Sequence, residues 1–97
     1  MCGFAGLLSI ENRIEDLNVT VRAMGDRLAA RGPDGEGSWV DPSGTIALAH
    51  RRLAIFECSD AGAQPMHSAT GRYTIAWNGE VYNHPELRAT LGKLGHA

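Results

Sequence analysis

A single amphipathic helix between two strand-forming regions is the feature that most restricts how this chain can fold. Apolar residues recur at alternating spacings of three and four, at Ile14, Leu17, Val21, Met24 and Leu28. This spacing places them all on one face and predicts a helix over about 14–30. An amphipathic helix of this kind buries its apolar face against the rest of the fold.

Strand patterns lie on both sides of this helix. Residues 3–10 form a short apolar run bounded by polar residues, which predicts a buried strand. Residues 31–37 contain glycine and proline and end the helix. A hairpin should follow, with strands over 38–40 and 45–53 joined by a turn at 41–44.

The rest of the chain predicts a loop over 57–68 and a strand over 72–77. A second helix should start near Asn83, which forms a capping-box pattern with Glu86, and run to about residue 94. Pro85 suits its first turn and Gly95 suits its end. The element order indicates an α+β fold.

Composition excludes several classes of protein. The chain has 97 residues, enough for one small domain, and 43% are hydrophobic, which argues against disorder. A net charge of -2 gives no electrostatic footprint for nucleic acid or an anionic membrane. No apolar run is long enough to span a bilayer, and no basic segment precedes the first apolar stretch. We therefore expect a cytoplasmic protein.

Cys2 directly follows Met1, which is normally removed when the next side chain is small. Removal would give Cys2 both a thiol and a free α-amine, which titrates near ~7.7–8.0 and can activate the thiol. The alternative is a small apolar residue at the start of a buried strand. Cys58 is interpreted as a bystander thiol, since a reducing cytoplasm disfavours a disulfide.

Asn78 and Gly79 also have two interpretations. An Asn-Gly pair is most often a hairpin turn. The functional alternative is an oxyanion hole, in which the Asn78 side-chain amide and the Gly79 N–H donate to a tetrahedral intermediate. Glycine would let the backbone donor approach the substrate without a Cβ in the way.

Arg51 and Arg52 are consecutive on a predicted strand and should point to opposite faces. Both could be solvated surface charges, or one could face inward and fork onto a carboxylate. His50 has no partners at zinc-site spacing, so we expect a structural histidine.

Together these segments resemble the class II glutamine amidotransferase domain, in its asparagine synthetase (glutamine-hydrolysing) branch. The resemblance covers essentially the whole chain. It rests on Met1-Cys2-Gly3, Arg31-Gly32-Pro33-Asp34-Gly35, Leu48-Ala49-His50-Arg51-Arg52-Leu53-Ala54-Ile55, Gly62-Ala63-Gln64-Pro65-Met66 and Asn78-Gly79-Glu80-Val81-Tyr82-Asn83.

The resemblance implies an N-terminal nucleophile hydrolase fold, an α/β/β/α sandwich of antiparallel sheets, with residues 1–97 forming only its N-terminal portion. It implies that Cys2 is the nucleophile and that Arg52 holds the glutamine α-carboxylate. Asn78 and Gly79 match the oxyanion donors. The positions that match the glutamine pocket are Arg52, Ile55, Asn78, Gly79 and Glu80.

The implied activity is hydrolysis of L-glutamine to glutamate and ammonia, which would supply ATP-dependent asparagine synthesis from aspartate. The glutaminase part needs no metal or organic cofactor, whereas ATP and Mg belong to a synthetase domain absent from residues 1–97. The remainder of the amidotransferase domain is absent too, including the aspartate that binds the glutamine α-ammonium. The resemblance leaves room for a homodimer of the full-length enzyme.

Two alternatives stay open at this point. The chain could be a non-catalytic fragment that only binds a partner, or an amidotransferase of a cell-surface sugar or lactam pathway. The sequence following Ala97 would discriminate between an enzyme and a fragment.

Overall fold

The computed structural model describes residues 2–11, 15–54 and 59–96. Met1, Ile14, Ile55 and Cys58, which figured in the sequence analysis, lie outside the described residues. The elements in chain order are β1 (Gly3–Leu8), α1 (Leu17–Asp26), β2 (Gly35–Val40), β3 (Ile46–Arg52), β4 (Met66–His67), β5 (Thr74–Ile75) and α2 (His84–Lys93).

The larger sheet is antiparallel and has the order β1-β3-β2, so β3 is its central strand. Gly3 pairs with Arg51 at one end of the β1–β3 ladder. The predicted hairpin of β2 and β3 is confirmed, and Val40 pairs with Ala47 beside its turn. Gly44 in that turn has a φ of 72°, a conformation that glycine adopts without strain.

Helix α1 packs on one face of this sheet and forms the core with it. Among the described residues, the buried apolar ones are Leu17, Val21, Ala47 and Ala49, and Leu7 and Val40 pack against them. The small alanines of β3 let the helix approach closely, since a Cβ on Gly25 would lie 3.1 Å from that of Ala49.

Helix α1 is shorter than the predicted span of 14–30. It begins after Asp16, whose Oδ1 accepts a hydrogen bond from the Val19 N–H at 3.1 Å. Beyond Asp26 the chain continues in tighter turns, in which the Arg27 N–H donates to Met24 O and successive residues repeat this spacing. The apolar period continues through these turns, which is why it overestimates the helix.

Strand β2 begins at Gly35, three residues before the predicted start at Ser38. The glycines of this segment predict a break, yet Gly35 pairs with Arg52 and Gly37 pairs with His50. Position 37 requires glycine for a steric reason, because a Cβ would overlap the Gln64 carbonyl oxygen.

The second half departs further from the expectations. The strand predicted over 72–77 shrinks to Thr74–Ile75, which pairs with Met66–His67 inside the predicted loop. A short 3₁₀ turn, Asp60–Gly62, also lies in that loop. No strand follows Asn78 and Gly79 in the described part of the chain, so the hairpin-turn interpretation is wrong.

Helix α2 lies where the second helix was predicted. Asn83 precedes it, but the Asn83 side chain makes no capping hydrogen bond, so the capping-box prediction is wrong in that respect. Gly95 ends the helix with a φ of 88°, as predicted. All residues of α2 are exposed.

The α+β class with antiparallel sheets is confirmed, but much of the surface stays open. The accessible area is 7341 Å², against about 5,400 Å² for a folded monomer of this mass. The radius of gyration is 15.1 Å, against about 12.5 Å for a compact domain of this length. Among the described residues, no helix has the length and apolar character needed to cross a membrane.

Gly32→Ala should destabilise the protein by about 1–3 kcal/mol, as overpacking of a close contact does. A Cβ at position 32 would overlap the main chain of Arg51 and Arg52, which cannot move without disturbing β3. Gly92→Ala is the control, because nothing lies within 4 Å of a Cβ there. Thermal denaturation measures both variants, and a Gly32→Ala protein as stable as wild type would contradict the expectation.

Candidate active site

Cys2 is fixed at the end of the central strand. It is half-buried, and its Sγ accepts a hydrogen bond from the Leu53 N–H at 3.3 Å. The thiol can also donate to the Leu53 carbonyl oxygen, 3.7 Å away. Because Leu53 follows β3 directly, the thiol lies beside the backbone of the residue next to Arg52.

The two arginines point to opposite faces of the sheet, as predicted. Arg51 borders a cavity on the α1 side, with Arg22 and Asp26 of the helix. Its Nη1 lies 2.8 Å from Glu36 Oε2, and its Nε donates to Gly32 O at 3.2 Å. These contacts hold the Arg51 side chain against the segment that carries Gly32 and Glu36.

Arg52 lies on the other face and borders a cavity of about 420 Å³. Its Nη1 donates to the Ser59 carbonyl oxygen at 2.6 Å, which orients the guanidinium. The described residues that line the cavity are Asp34, Gly35, Glu36, His50, Arg52, Ala54, Asp60, Ala63 and Gln64. Its volume is within the range of small-molecule sites, and its lining offers both a cation and carboxylates.

Asp34 makes two contacts beside the end of β3. Its N–H donates to Arg52 O at 2.9 Å, and its Oδ2 accepts from the Ala54 N–H at 2.8 Å. Asp34 therefore ties the segment after α1 to both sides of Leu53, the residue that holds the Cys2 thiol.

His50 lies on the same face as Arg52 and is only 1% exposed. Its Nε2 lies 3.1 Å from the Trp77 carbonyl oxygen, and its buried Nδ1 has no hydrogen-bond partner among the described residues. Burial lowers the pKa of His50; the Trp77 bond opposes this and the Arg52 charge adds to it. No metal-binding cluster of His, Cys, Asp and Glu occurs in the described ranges.

The Asn78 and Gly79 segment is held through its neighbour Trp77. The Trp77 N–H donates to Gln64 Oε1 at 2.6 Å, and its carbonyl is bound by His50. Asn78 is half-buried and Gly79 is exposed. A Cβ on Gly79 would lie 2.9 Å from the Trp77 ring, so a larger residue there would displace the indole.

The predicted site residues thus fall into two groups. Cys2 is bound to Leu53, which follows Arg52 at the end of β3, whereas Asn78 and Gly79 are connected to that strand through Trp77 and His50. The described residues lining the Arg52 cavity do not include Cys2, Asn78, Gly79 or the exposed Glu80. Ile55, predicted to line the glutamine pocket, lies outside the described residues.

Sequence reasoning missed the contacts of His50 and Gln64 with Trp77. Both residues belong to segments that carry the family resemblance, since His50 precedes the two arginines and Gln64 precedes Pro65. No local pattern indicated their partner, because they reach Trp77 from 27 and 13 positions away.

Known proteins are similar to this chain along nearly its whole length. Residues 1–97 match the glutamine amidotransferase domain family over the whole chain. The asparagine synthetase [glutamine-hydrolyzing] of Triphysaria versicolor is 40% identical over 91 residues, which is 94% of this chain and 15% of that protein. Asparagine synthetase B [glutamine-hydrolyzing] of Escherichia coli (strain K12) is 36% identical over 92 residues, covering 95% of this chain and 16% of that protein.

A third relative is asparagine synthetase [glutamine-hydrolyzing] 3 of Bacillus subtilis (strain 168), which is 35% identical over 98 residues. That match covers 99% of this chain and 16% of the relative. The chain therefore spans about a sixth of the length of the curated relatives it matches. No solved structure gives a significant match.

Titration of His50 should make the protein less stable in mild acid. An unfolded histidine titrates near pH ~6.5, and the pKa of His50 in the folded protein is lower. The stabilisation is therefore complete above about pH 6.5 and decreases as the pH falls through the folded-state pKa.

Thermal denaturation between about pH 5 and 8, the range in which histidine changes charge, measures this effect. His50→Gln cannot titrate and should lose less stability than wild type as the pH falls. An identical pH dependence in the two proteins would contradict the assignment.

Proposed function

Because this chain belongs to the glutamine amidotransferase domain family, we propose that it hydrolyses L-glutamine to glutamate and ammonia with Cys2 as the nucleophile. The observation that carries the proposal is the position of the Cys2 thiol. It is fixed by Leu53, the residue that follows Arg52 at the end of β3, and Arg52 borders the cavity. A nucleophile and a carboxylate-binding cation thus share one strand end.

The chemistry follows from the groups assigned. With Met1 removed, the Cys2 α-amine takes the thiol proton, and the thiolate attacks the side-chain amide carbon of glutamine. The carbon–sulfur bond forms as the carbonyl electron pair moves onto oxygen. The Asn78 side-chain amide and the Gly79 N–H donate to that oxyanion.

Collapse of the intermediate completes the reaction. The carbon–nitrogen bond breaks, the Cys2 ammonium returns the proton to the leaving group, and ammonia departs. Water then hydrolyses the thioester through a second oxyanion, releasing glutamate and the thiol. No metal or organic cofactor takes part in these steps.

Substrate binding is assigned to the Arg52 cavity. The Arg52 guanidinium, oriented by the Ser59 carbonyl, binds the glutamine α-carboxylate through two parallel hydrogen bonds. Ile55 and Glu80 are proposed to line the rest of the pocket. The α-ammonium must be paired with an anion when it leaves water, and we assign this role to a carboxylate outside residues 1–97.

We further propose that residues 1–97 are the N-terminal portion of an N-terminal nucleophile hydrolase-type α/β/β/α sandwich. The sheet face opposite α1 supports this, because Phe4 is 50%, Leu8 65% and Ile46 40% exposed there. A second sheet packed on that face would bury them.

The ammonia is proposed to reach a synthetase domain that uses ATP and Mg to make asparagine from aspartate. The names of the relatives support this assignment, and their length leaves room for such a domain. The reaction is assigned to the cytoplasm, where free thiols stay reduced.

Replacing the nucleophile tests the proposal. In the complete natural polypeptide that carries residues 1–97, Cys2→Ala should abolish glutamine-dependent asparagine synthesis and spare synthesis from added ammonia. The matched control, Cys58→Ser, should leave both activities close to wild type. If Cys2→Ala retained glutaminase activity, or if wild type released no ammonia and only bound a partner, the proposed function would be wrong.

The two arginines should differ in their effect on glutamine binding. Arg52→Ala removes the proposed carboxylate partner, a loss that typically costs roughly 2–5 kcal/mol of binding. Steady-state kinetics should therefore give a much higher glutamine KM for Arg52→Ala. Arg51→Ala breaks the pair with Glu36 and should affect stability more than KM. A larger rise in KM for Arg51→Ala would reverse the assignment.

A further inference from the structure

The main chain of Trp77 is held from two sides by side chains of distant segments. Its N–H donates to Gln64 Oε1 at 2.6 Å. Its carbonyl oxygen lies 3.1 Å from His50 Nε2. Both polar groups of one backbone residue, the residue that precedes Asn78, are therefore satisfied by side chains rather than by a strand ladder.

His50 is buried and anchored in the sheet. The imidazole is 1% exposed and extends from the central strand, so its position is set by the sheet. A carbonyl oxygen can only accept, so Nε2 must carry the proton. Nδ1 is then an unprotonated, buried nitrogen, consistent with its having no partner among the described residues.

Gln64 lies beside the same position of the sheet as His50. Gly37 pairs with His50 across the β2–β3 ladder, and the Gln64 carbonyl packs over Gly37 where a side chain would otherwise lie. His50 and Gln64 therefore both lie at the Gly37–His50 pair of the ladder, and the side chains of both bind the Trp77 main chain. This geometry gives the Trp77 main chain a fixed place relative to β3.

The carbonyl of Trp77 and the N–H of Asn78 belong to one planar peptide group. We propose that His50 and Gln64 form a clamp on the Trp77 main chain that positions Asn78 and Gly79 as oxyanion donors relative to Cys2. Both are positioning residues, since they act through Trp77. This inference rests on the proposed glutaminase function and deepens it.

The segment needs such a clamp because regular secondary structure does not order it. Residues 76–83 belong to no strand or helix, and α2 beyond them is fully exposed. Oxyanion donors must lie about 2.7–3.1 Å from the charged oxygen to be effective. A displacement of ~1 Å in a positioning group can cost about 10²-fold in rate.

Matched pairs of variants in the complete natural polypeptide test the clamp. His50→Phe fills the site without a donor, whereas the side-chain amide of His50→Gln can donate to the same carbonyl. Gln64→Met removes the acceptor, and Gln64→Glu keeps it. The variants without the hydrogen bond should lower glutaminase kcat by about 10- to 100-fold. This loss should exceed any change in KM, to which both residues also contribute as lining of the Arg52 cavity. The conservative partners should recover most of kcat.

The tautomer of His50 gives a second readout that does not depend on activity. Nitrogen-15 NMR of the imidazole should show the proton on Nε2. A proton on Nδ1 would overturn the inference, and so would full kcat in His50→Phe or Gln64→Met. If His50→Phe does not fold, the Gln64 pair and the tautomer decide.

Failure of the proposed function is distinguishable from failure of the clamp. A wild-type protein that hydrolyses no glutamine, while the Nε2 proton is observed, would refute the function and the positioning role together. An active wild type with equally active His50→Phe would refute the clamp alone.

Discussion

The pairing of β3 with a strand on each side is the constraint on which the rest of this structure depends. Alternation along β3 sends Ala47 and Ala49 towards α1, where they close the core, and sends His50 and Arg52 to the opposite face. The strand ends at Arg52, and Leu53 then binds the Cys2 thiol. A slip of one residue would exchange the two faces, placing Arg51 in the Arg52 cavity and burying the wrong side chains.

Two glycines fix this register by sterics. Gly32 lies so close to the main chain of Arg51 and Arg52 that it admits no Cβ, and Gly37 does the same beneath the Gln64 carbonyl. These close contacts contribute little attractive energy. They instead exclude other strand registers, in which a larger residue would overlap the same backbone. The glycines around β2 therefore position the site, although they looked like breaks in the sequence.

The sequence pattern predicted the elements that depend on interactions between residues close in sequence. The apolar period gave the buried face of α1 through Leu17 and Val21, and the turn residues gave the β2–β3 hairpin. Strand alternation separated Arg51 from Arg52. The pattern could not give the contacts of His50 and Gln64 with Trp77, because these depend on how the loop after β3 folds back over the sheet. The pattern also failed at Asn83, where a residue typical of a helix cap is present but its side chain makes no capping hydrogen bond.

The sheet face that carries His50 and Arg52 is held mainly by polar contacts. The apolar core lies on the α1 side, while the other face carries single hydrogen bonds such as Leu53 to Cys2, Arg52 to Ser59 and His50 to Trp77. Each hydrogen bond is worth about 0.5–1.5 kcal/mol net, and competition from water weakens those that are exposed. Covering this face with further protein would exclude that water and strengthen each bond through the lower local dielectric. In the proposed sandwich, the protein that buries Phe4, Leu8 and Ile46 would therefore also tighten the groups proposed to act on glutamine, and the two would become ordered together.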